Sequence, residues 1–326
     1  MKISNVIRLL LLLPVFAAPA GAQTKRIAVA YSAISATQSS FFVTKEAGLF
    51  EKHGLSVDPV YVASGTKVAQ AVIAGEFPVA LAGGTVVNAT LAGGDIVIVG
   101  GLVNVPSFYV YVLSAIKRPE DLKGKAIGIT TYGSSTDFSI RYLIKKWNME
   151  PDRDIKILQM GGQPQIVAGM VGGSIQGGVL SSPANYNAAK GGFQLLTDFK
   201  KVGLDYPTVS IVSTRSFIKK DPQTVRNFMM AYSEGVERLY RDKEFTMKVI
   251  GKYTKTNDRE ALESAYGFAT TFIERPPHLP YKAVETILAQ IGEKDAKARA
   301  TKPEEFIDPT FYNEMEKSGF FKSIAR

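Results

Sequence analysis

The chain has 326 residues, 45% hydrophobic and 21% charged, with a formal net charge of +9 and no cysteine. That length is more than one small core organises, and the composition excludes a disordered or low-complexity chain. Without cysteine there is no disulfide framework, no thiolate metal site and no lipid attached through a cysteine.

Lys2 and Arg8 precede and enter the apolar run "VIRLLLLLPVFAA", and "AGA" at 20–22 supplies small residues. The pattern predicts a secretory signal peptide over 1–22, cleaved after Ala22, since the apolar run is too short to span a bilayer. An exported, periplasmic protein is expected. Removing Lys2 and Arg8 leaves a net charge of about +7. The remaining cations are mixed with acids, as in "EKDAKARATKPEE", which reads as solvated surface and not as a nucleic-acid interface.

Short apolar runs then alternate with amphipathic segments, the pattern of an α/β chain. Strands are predicted at 26–32, 55–63, 79–83, 96–103, 108–114, 126–130, 155–160, 177–181, 194–198 and 208–214. A helical segment over 40–54 ends at Gly54. From about residue 219 the texture becomes helical, with Asp221 as N-cap and Pro222 in the first turn. Further helices are expected near 243–254, 258–274, 280–299 and 309–318. Two charged or Pro-containing stretches, "SAIKRPEDLKGKAIGI" and "KKVGLDYPTVSIV", read as boundaries. They predict a second lobe (109–207) inserted between two pieces of the first (23–108 and 208–326), with residues 1–22 removed.

Six strand–loop–helix junctions carry glycines and hydroxyls: "YSAISATQSSFF", "ASGTKVAQAV", "LAGGTVVNATL", "TYGSSTDFS", "MGGQPQIVAGM" and "LSSPANYNAA". A helix's first N–H groups lack internal partners and sit at the positive end of its dipole, so such loops can hold an anion or an acceptor atom. In open sheets these loops line the crevice at the strands' carboxyl ends. Lys67 is a candidate for meeting an anionic head group, and Tyr31, Phe41 and Tyr132 are candidates for stacking on a flat ligand. Arg141 reads as a surface or ion-pair residue. Catalytic chemistry finds little support: the two histidines, His53 and His278, stand in unrelated contexts, with His53 expected on the surface. A non-enzymatic binder with no cofactor and no metal is expected.

The run from "EAGLFEKHGLSVDPVYVASG" through "AGEFPVALAGG" to "DLKGKAIGITTYGSSTDF" resembles the periplasmic substrate-binding proteins of nitrate/sulfonate/taurine-type ABC importers. That superfamily includes the thiamine-pyrimidine-precursor binders. The likeness covers about residues 26–250. It implies a type II periplasmic binding fold of two α/β lobes joined by two hinge strands, near Pro106–Tyr109 and Tyr206–Thr208, with a helical C-terminal tail. Carried over, first-lobe contacts fall on Ser35, Thr37 and Gln38, on Ser64, Gly65, Thr66 and Lys67, and on Gly84 and Thr85. Second-lobe contacts fall on Tyr132, Gly133, Ser134, Ser135 and Thr136, on Gly162 and Gln163, and on Ser182 and Asn185. The resemblance implies a monomer that captures a small organic anion by lobe closure and delivers it to a membrane permease with its ATPase. A flat heterocycle such as a pyrimidine, or a sensory role, is the alternative. The cysteine-rich motif of the pyrimidine-synthesising relatives is absent.

Overall fold

The computed structural model describes residues 24–325, so the expected signal segment lies outside the described residues. Ten strands form two five-stranded sheets. The first takes β1 (Lys25–Tyr31), β2 (Leu55–Tyr61), β3 (Val79–Ala82) and β4 (Val97–Val103). The second takes β5 (Tyr109–Val112), β6 (Ala126–Ile129), β7 (Lys156–Gln159), β8 (Gly177–Leu180) and β9 (Gln194–Asp198), before β10 (Val209–Ser213) returns to the first. The orders are β2-β1-β3-β10-β4 and β7-β6-β8-β5-β9. In each sheet the fourth strand, β10 or β5, is antiparallel to both neighbours and is the strand that enters from the other half.

The inner strands are short continuous apolar runs because both of their faces are covered. β3, β6 and β8 are buried throughout, whereas the edge strand β2 buries Leu55 and Val57 and leaves Ser56 and Asp58 less covered. Around the first sheet, one apolar cluster gathers Phe41, Phe50, Phe228 and Tyr232, and another gathers Val68, Val86, Ile98 and Ile287. The second sheet has smaller clusters around Ile127, Ile140 and Ile144, and around Ile166, Met170 and Leu180. Each such side chain contributes about 1.5–3 kcal/mol on burial.

The helical end is anchored by Pro222–Arg241, where Asp221 accepts from Thr224 N–H at 3.1 Å. Its stripe of Val225, Phe228, Tyr232, Val236 and Leu239 is buried, and Tyr232 bonds Ser40 at 2.8 Å. Two expected helices are each divided. The first breaks into Ser39–Glu46 and Leu49–Lys52 at Gly48, whose φ of 67° is left-handed. The 280–299 segment splits into Tyr281–Gly292 and Ala296–Ala300 because Asp295 turns its carboxylate onto Lys297 and Ala298 N–H and starts a new helix.

The chain passes between the sheets at 104–108 and 199–208, and the two passages run side by side. Tyr206 N–H donates to Asn104 O at 2.9 Å, Thr208 N–H to Val103 O at 2.7 Å, and Phe199 N–H to Phe108 O at 3.1 Å. Among the described residues no helix is long and apolar enough to cross a membrane.

Candidate ligand-binding cleft

The carboxyl ends of the inner strands of both sheets face one narrow cleft. After β1, Ser35 caps a single tight turn, its Oγ accepting from Thr37 N–H at 3.3 Å, and the turn runs on into Ser39–Glu46. Gln38 donates through Nε2 to Ser32 Oγ at 2.9 Å. After β2, Ser64 caps Gly65–Ile73 at φ 83° and ψ 137°, a backbone conformation that costs a non-glycine residue about 1–3 kcal/mol. The strain places Ser64 Oγ against Thr131 Oγ1 of the other half. After β3 the pair Gly83–Gly84 lets the chain pass closely. A Cβ at Gly83 would stand 2.4 Å from Thr208 O and 2.8 Å from Ser135 Oγ, and one at Gly84 would meet the Tyr206 ring.

On the opposite wall Ser134 caps Ser135–Lys146, its Oγ accepting from Asp137 N–H at 3.4 Å and from Thr130 Oγ1 at 2.9 Å. Thr136 Oγ1 accepts from Thr130 N–H at 3.0 Å. Asp137 closes a cap one residue earlier than a capping box, taking Gly133 N–H at 2.8 Å. Burial pushes the Asp137 carboxyl up, against the pull of Gly133 N–H and of Arg141, whose Nε donates to it at 2.7 Å. Arg141 also pairs with Asp152 at 2.6 Å, so it serves an ion-pair network. Gln163 uses both ends, donating to Val179 O at 3.3 Å and accepting from Ser181 N–H at 3.0 Å.

The halves touch across the cleft. Ala36 N–H donates to Ser182 O at 2.8 Å, Thr66 Oγ1 to Tyr132 O at 3.3 Å, and Tyr206 Oη to Ser135 Oγ at 3.3 Å. Phe138 stacks on Tyr206 at 4.4 Å. Burial drives the Tyr206 phenol far above its ordinary range, so it is a neutral donor at any physiological pH. What remains between the walls is a cavity of ≈ 50 Å³. All the residues lining it are uncharged. A larger hollow of ≈ 550 Å³ lies elsewhere, among Lys52, Glu234, Arg238 and Arg241. It is an open groove of paired surface charges on helix flanks, away from the strand ends, and lacks the convergence of a binding site.

Of the sequence candidates, Ser35, Thr37, Gln38, Ser64, Gly65, Ser134, Ser135, Thr136 and Gln163 line this cavity. The others do not. Thr66 and Gly133 stand at the rim, facing each other across the cleft. Lys67 is exposed, because one further step along the helix turns its side chain outward. Tyr132 is half exposed and bonds Ile157 O at 2.9 Å. Gly84 accommodates Tyr206, Thr85 borders an outer hollow with Ala69 and Ile73, and a Cβ at Gly162 would stand 3.1 Å from Tyr61 Oη. Ser182 is buried behind the wall, and Asn185 lies a turn further on. Phe41 is core, packed with Phe50 and Phe228, and Tyr31 packs on Phe42. His53, expected on the surface, is instead largely covered and bonds Glu234 at 2.9 Å.

Gly83, Phe108, Thr130, Ser181, Thr208 and Val209 also line the cavity without having been candidates. Thr130 and Ser181 directly follow the cleft ends of β6 and β8, a position that could have marked them. Phe108 and Thr208 come from the passages between sheets and Val209 opens β10, places that carry no loop signature.

Comparison with known proteins agrees with this arrangement. The family described as "NMT1/THI5 like" matches residues 36–244. The nitrate/nitrite binding protein NrtA of a Nostoc species is 27% identical over 161 residues, covering 47% of this chain and 36% of that one, so the match spans about a third of the relative. A solved structure from Bordetella bronchiseptica RB50 superposes with a TM-score of 0.81 at 19% identity, over 91% of this chain and 98% of the other. The alkanesulfonate-binding protein SsuA of Xanthomonas axonopodis pv. citri, solved with MOPS bound, gives 0.72 at 20% identity, over 86% and 96%. The fold is thus the two-lobed one of periplasmic binding proteins.

Proposed function

The chain belongs to the NMT1/THI5-like family, and from that premise we propose that it is the solute-binding component of an ABC uptake system. Working outside the cytoplasmic membrane, it captures a small organic anion of the sulfonate or carboxylate class and hands it to a membrane permease driven by an ATPase. It performs no chemistry on the solute. The first lobe comprises 23–108 and 208–326, the second 109–207, and the paired passages between them act as the hinge.

One observation carries the reading: helix-start loops from both sheets meet on a single hydroxyl-lined cavity. With no charged side chain on its walls, an anion there is held by amide and hydroxyl donors and by helix dipoles, as in other helix-terminus anion sites. Capture follows from closure. Donors on two separate halves reach the same solute only when the cleft shuts, so a bound solute favours the shut form. A flat heterocycle fits less well, since Phe108 is the only ring among the lining residues and it packs edge-on against Phe199.

Thermal-shift screening of the mature chain against sulfonates, carboxylates and pyrimidines tests this. A solute at about a hundred times its Kd adds roughly 2.7 kcal/mol of stability. Protection by pyrimidines alone would overturn the anion reading, and turnover of a bound compound would overturn the non-catalytic one.

A further inference from the structure

The first turn of a helix favours an acid, which meets the positive end of the dipole. Elsewhere this chain follows the rule, with Glu51, Glu244 and Glu260 in the first turns of Leu49–Lys52, Lys243–Thr254 and Arg259–Phe272. Of the six helices that begin at the cleft, five carry no first-turn acid: Ser39–Glu46, Gly65–Ile73, Thr85–Leu91, Gln163–Val171 and Ala184–Lys190. The exception is Asp137 in Ser135–Lys146, directly behind Ser134, Ser135 and Thr136 of the cavity lining. Its side chain is 9% exposed, and its carboxylate is fixed by Gly133 N–H at 2.8 Å and Arg141 Nε at 2.7 Å. Arg141 does not cancel it. That side chain is rooted one turn further from the cavity and divides its guanidinium between Asp137 and Asp152, so two acids face one cation. The charge is felt at the lining: the Tyr206 phenol, whose Oη bonds Ser135 Oγ at 3.3 Å, is raised first by burial and further by Asp137.

We infer that Asp137 is a specificity-determining residue: a fixed negative charge behind the second wall that penalises each negative charge a solute brings into the cavity. The inference rests on the capture role proposed above and concerns how the site counts charge, not which acid it takes. Asp137 does not line the cavity, so it acts through its field and not by contact. No cation lines the cavity to offset that field, and the amide and hydroxyl donors there are neutral dipoles. Coulomb energy is proportional to the solute's charge, so a dianion is penalised about twice as much in free energy as a monoanion of the same shape. A residue that only capped its helix would produce no such proportion.

Methanesulfonate and sulfate, a monoanion and a dianion of like tetrahedral shape, read this out by calorimetry on the mature chain at neutral pH and low salt. Asp137→Asn keeps an acceptor for Gly133 N–H and removes the charge. It is expected to tighten methanesulfonate by about threefold to tenfold, and sulfate by about the square of that factor. Asp152→Asn, at a left-handed φ of 68° that Asn also adopts, frees Arg141 for Asp137. It should shift both anions in the same direction and proportion, by less. Unchanged affinities, equal gains for the two anions, losses for both, or sulfate still undetected in Asp137→Asn would overturn the inference and leave the capture role standing. Silence of both anions toward wild type and variants would remove both. If Asp137→Asn does not fold by circular dichroism, Asp152→Asn decides.

Discussion

On the wall carried by the second sheet, Thr130, Ser134 and Thr136 bond one another at 2.9–3.0 Å, and Gln163 spends its whole amide on the chain behind it. On the wall carried by the first sheet, Gln38 Oε1 has no partner and Ser64 is held at a left-handed φ of 83°. The lining residues of one wall are tied mostly to one another, whereas the other wall holds a strained residue and a buried carbonyl with no bond. Packing runs the opposite way. The first sheet, with the strained wall, has the larger apolar clusters and all the C-terminal helices, while the tied wall stands on the smaller body. Strain and an unmet acceptor are tolerated where the surrounding core is large enough to hold them in place.

If that contrast is right, the heaviest damage comes from the first body's core. Phe228 is fully buried and stacks on Phe50 at 5.0 Å. Phe228→Ala is expected to cost toward the upper end of about 3–5 kcal/mol in urea unfolding, and the same change at the buried Phe199 of the second body toward the lower end. Comparable losses from the two would remove the difference in how the bodies are built.

Next in size is the point where the walls meet. Gly83→Ala drives a methyl into Thr208 O and Ser135 Oγ, an overpacking expected to cost about 1–3 kcal/mol. Part of that falls on closure, so solute binding measured by calorimetry should weaken by about tenfold or more. An unchanged Kd would mean that the cleft need not shut this tightly to hold its solute.

Much of this was legible in the sequence. Strand positions and the α/β class follow from the alternation of apolar runs and helices, and the hydroxyl-rich loops identify about half of the cavity lining, because a cap and a ligand donor use the same residue types in the same place. Lys67 shows where the reading fails. Sequence adjacency to "SGT" suggests a cation in the site, but a helix rotates about 100° per residue, and Lys67 is exposed where Ser64 is buried. Tyr206, Thr208 and Phe108 were legible only as part of a passage between sheets. Their place at the cavity or behind it depends on the two passages lying side by side, a long-range pairing that no local pattern encodes.

Tyr206→Phe sharpens the comparison at smaller scale. It keeps the stacking on Phe138 and removes the donor that reaches across to Ser135. A neutral hydrogen bond contributes about 0.5–1.5 kcal/mol net, so a several-fold loss of affinity with little change in melting temperature is expected. A large drop in melting temperature with unchanged affinity would assign Tyr206 to the core of the first body instead of to closure.

The smallest effect concerns the outer seam, where Lys190 of the second body donates to Asp258 of the first at 2.5 Å and Tyr186 Oη donates to Glu260 at 3.1 Å. The Lys190 hydrogen bond, with help from Ala261 and Glu260 N–H, holds the Asp258 carboxyl below its ordinary 3.8. A depressed carboxylate contributes above its unfolded pKa and loses that contribution as pH falls through the depressed value. Binding should therefore weaken on acidification below about pH 4. Asp258→Asn keeps an oxygen for capping Arg259–Phe272 and removes only the charge that Lys190 meets. At neutral pH and low salt it should weaken binding by less than about fivefold, and at high salt hardly at all, because the pair is exposed and screened. Below pH 4 the variant and wild-type curves should converge, since the proton has then removed the same charge. Curves of Kd against pH that coincide over the whole range would show that this seam takes no part in closure, and that the two walls alone decide whether the cleft is shut.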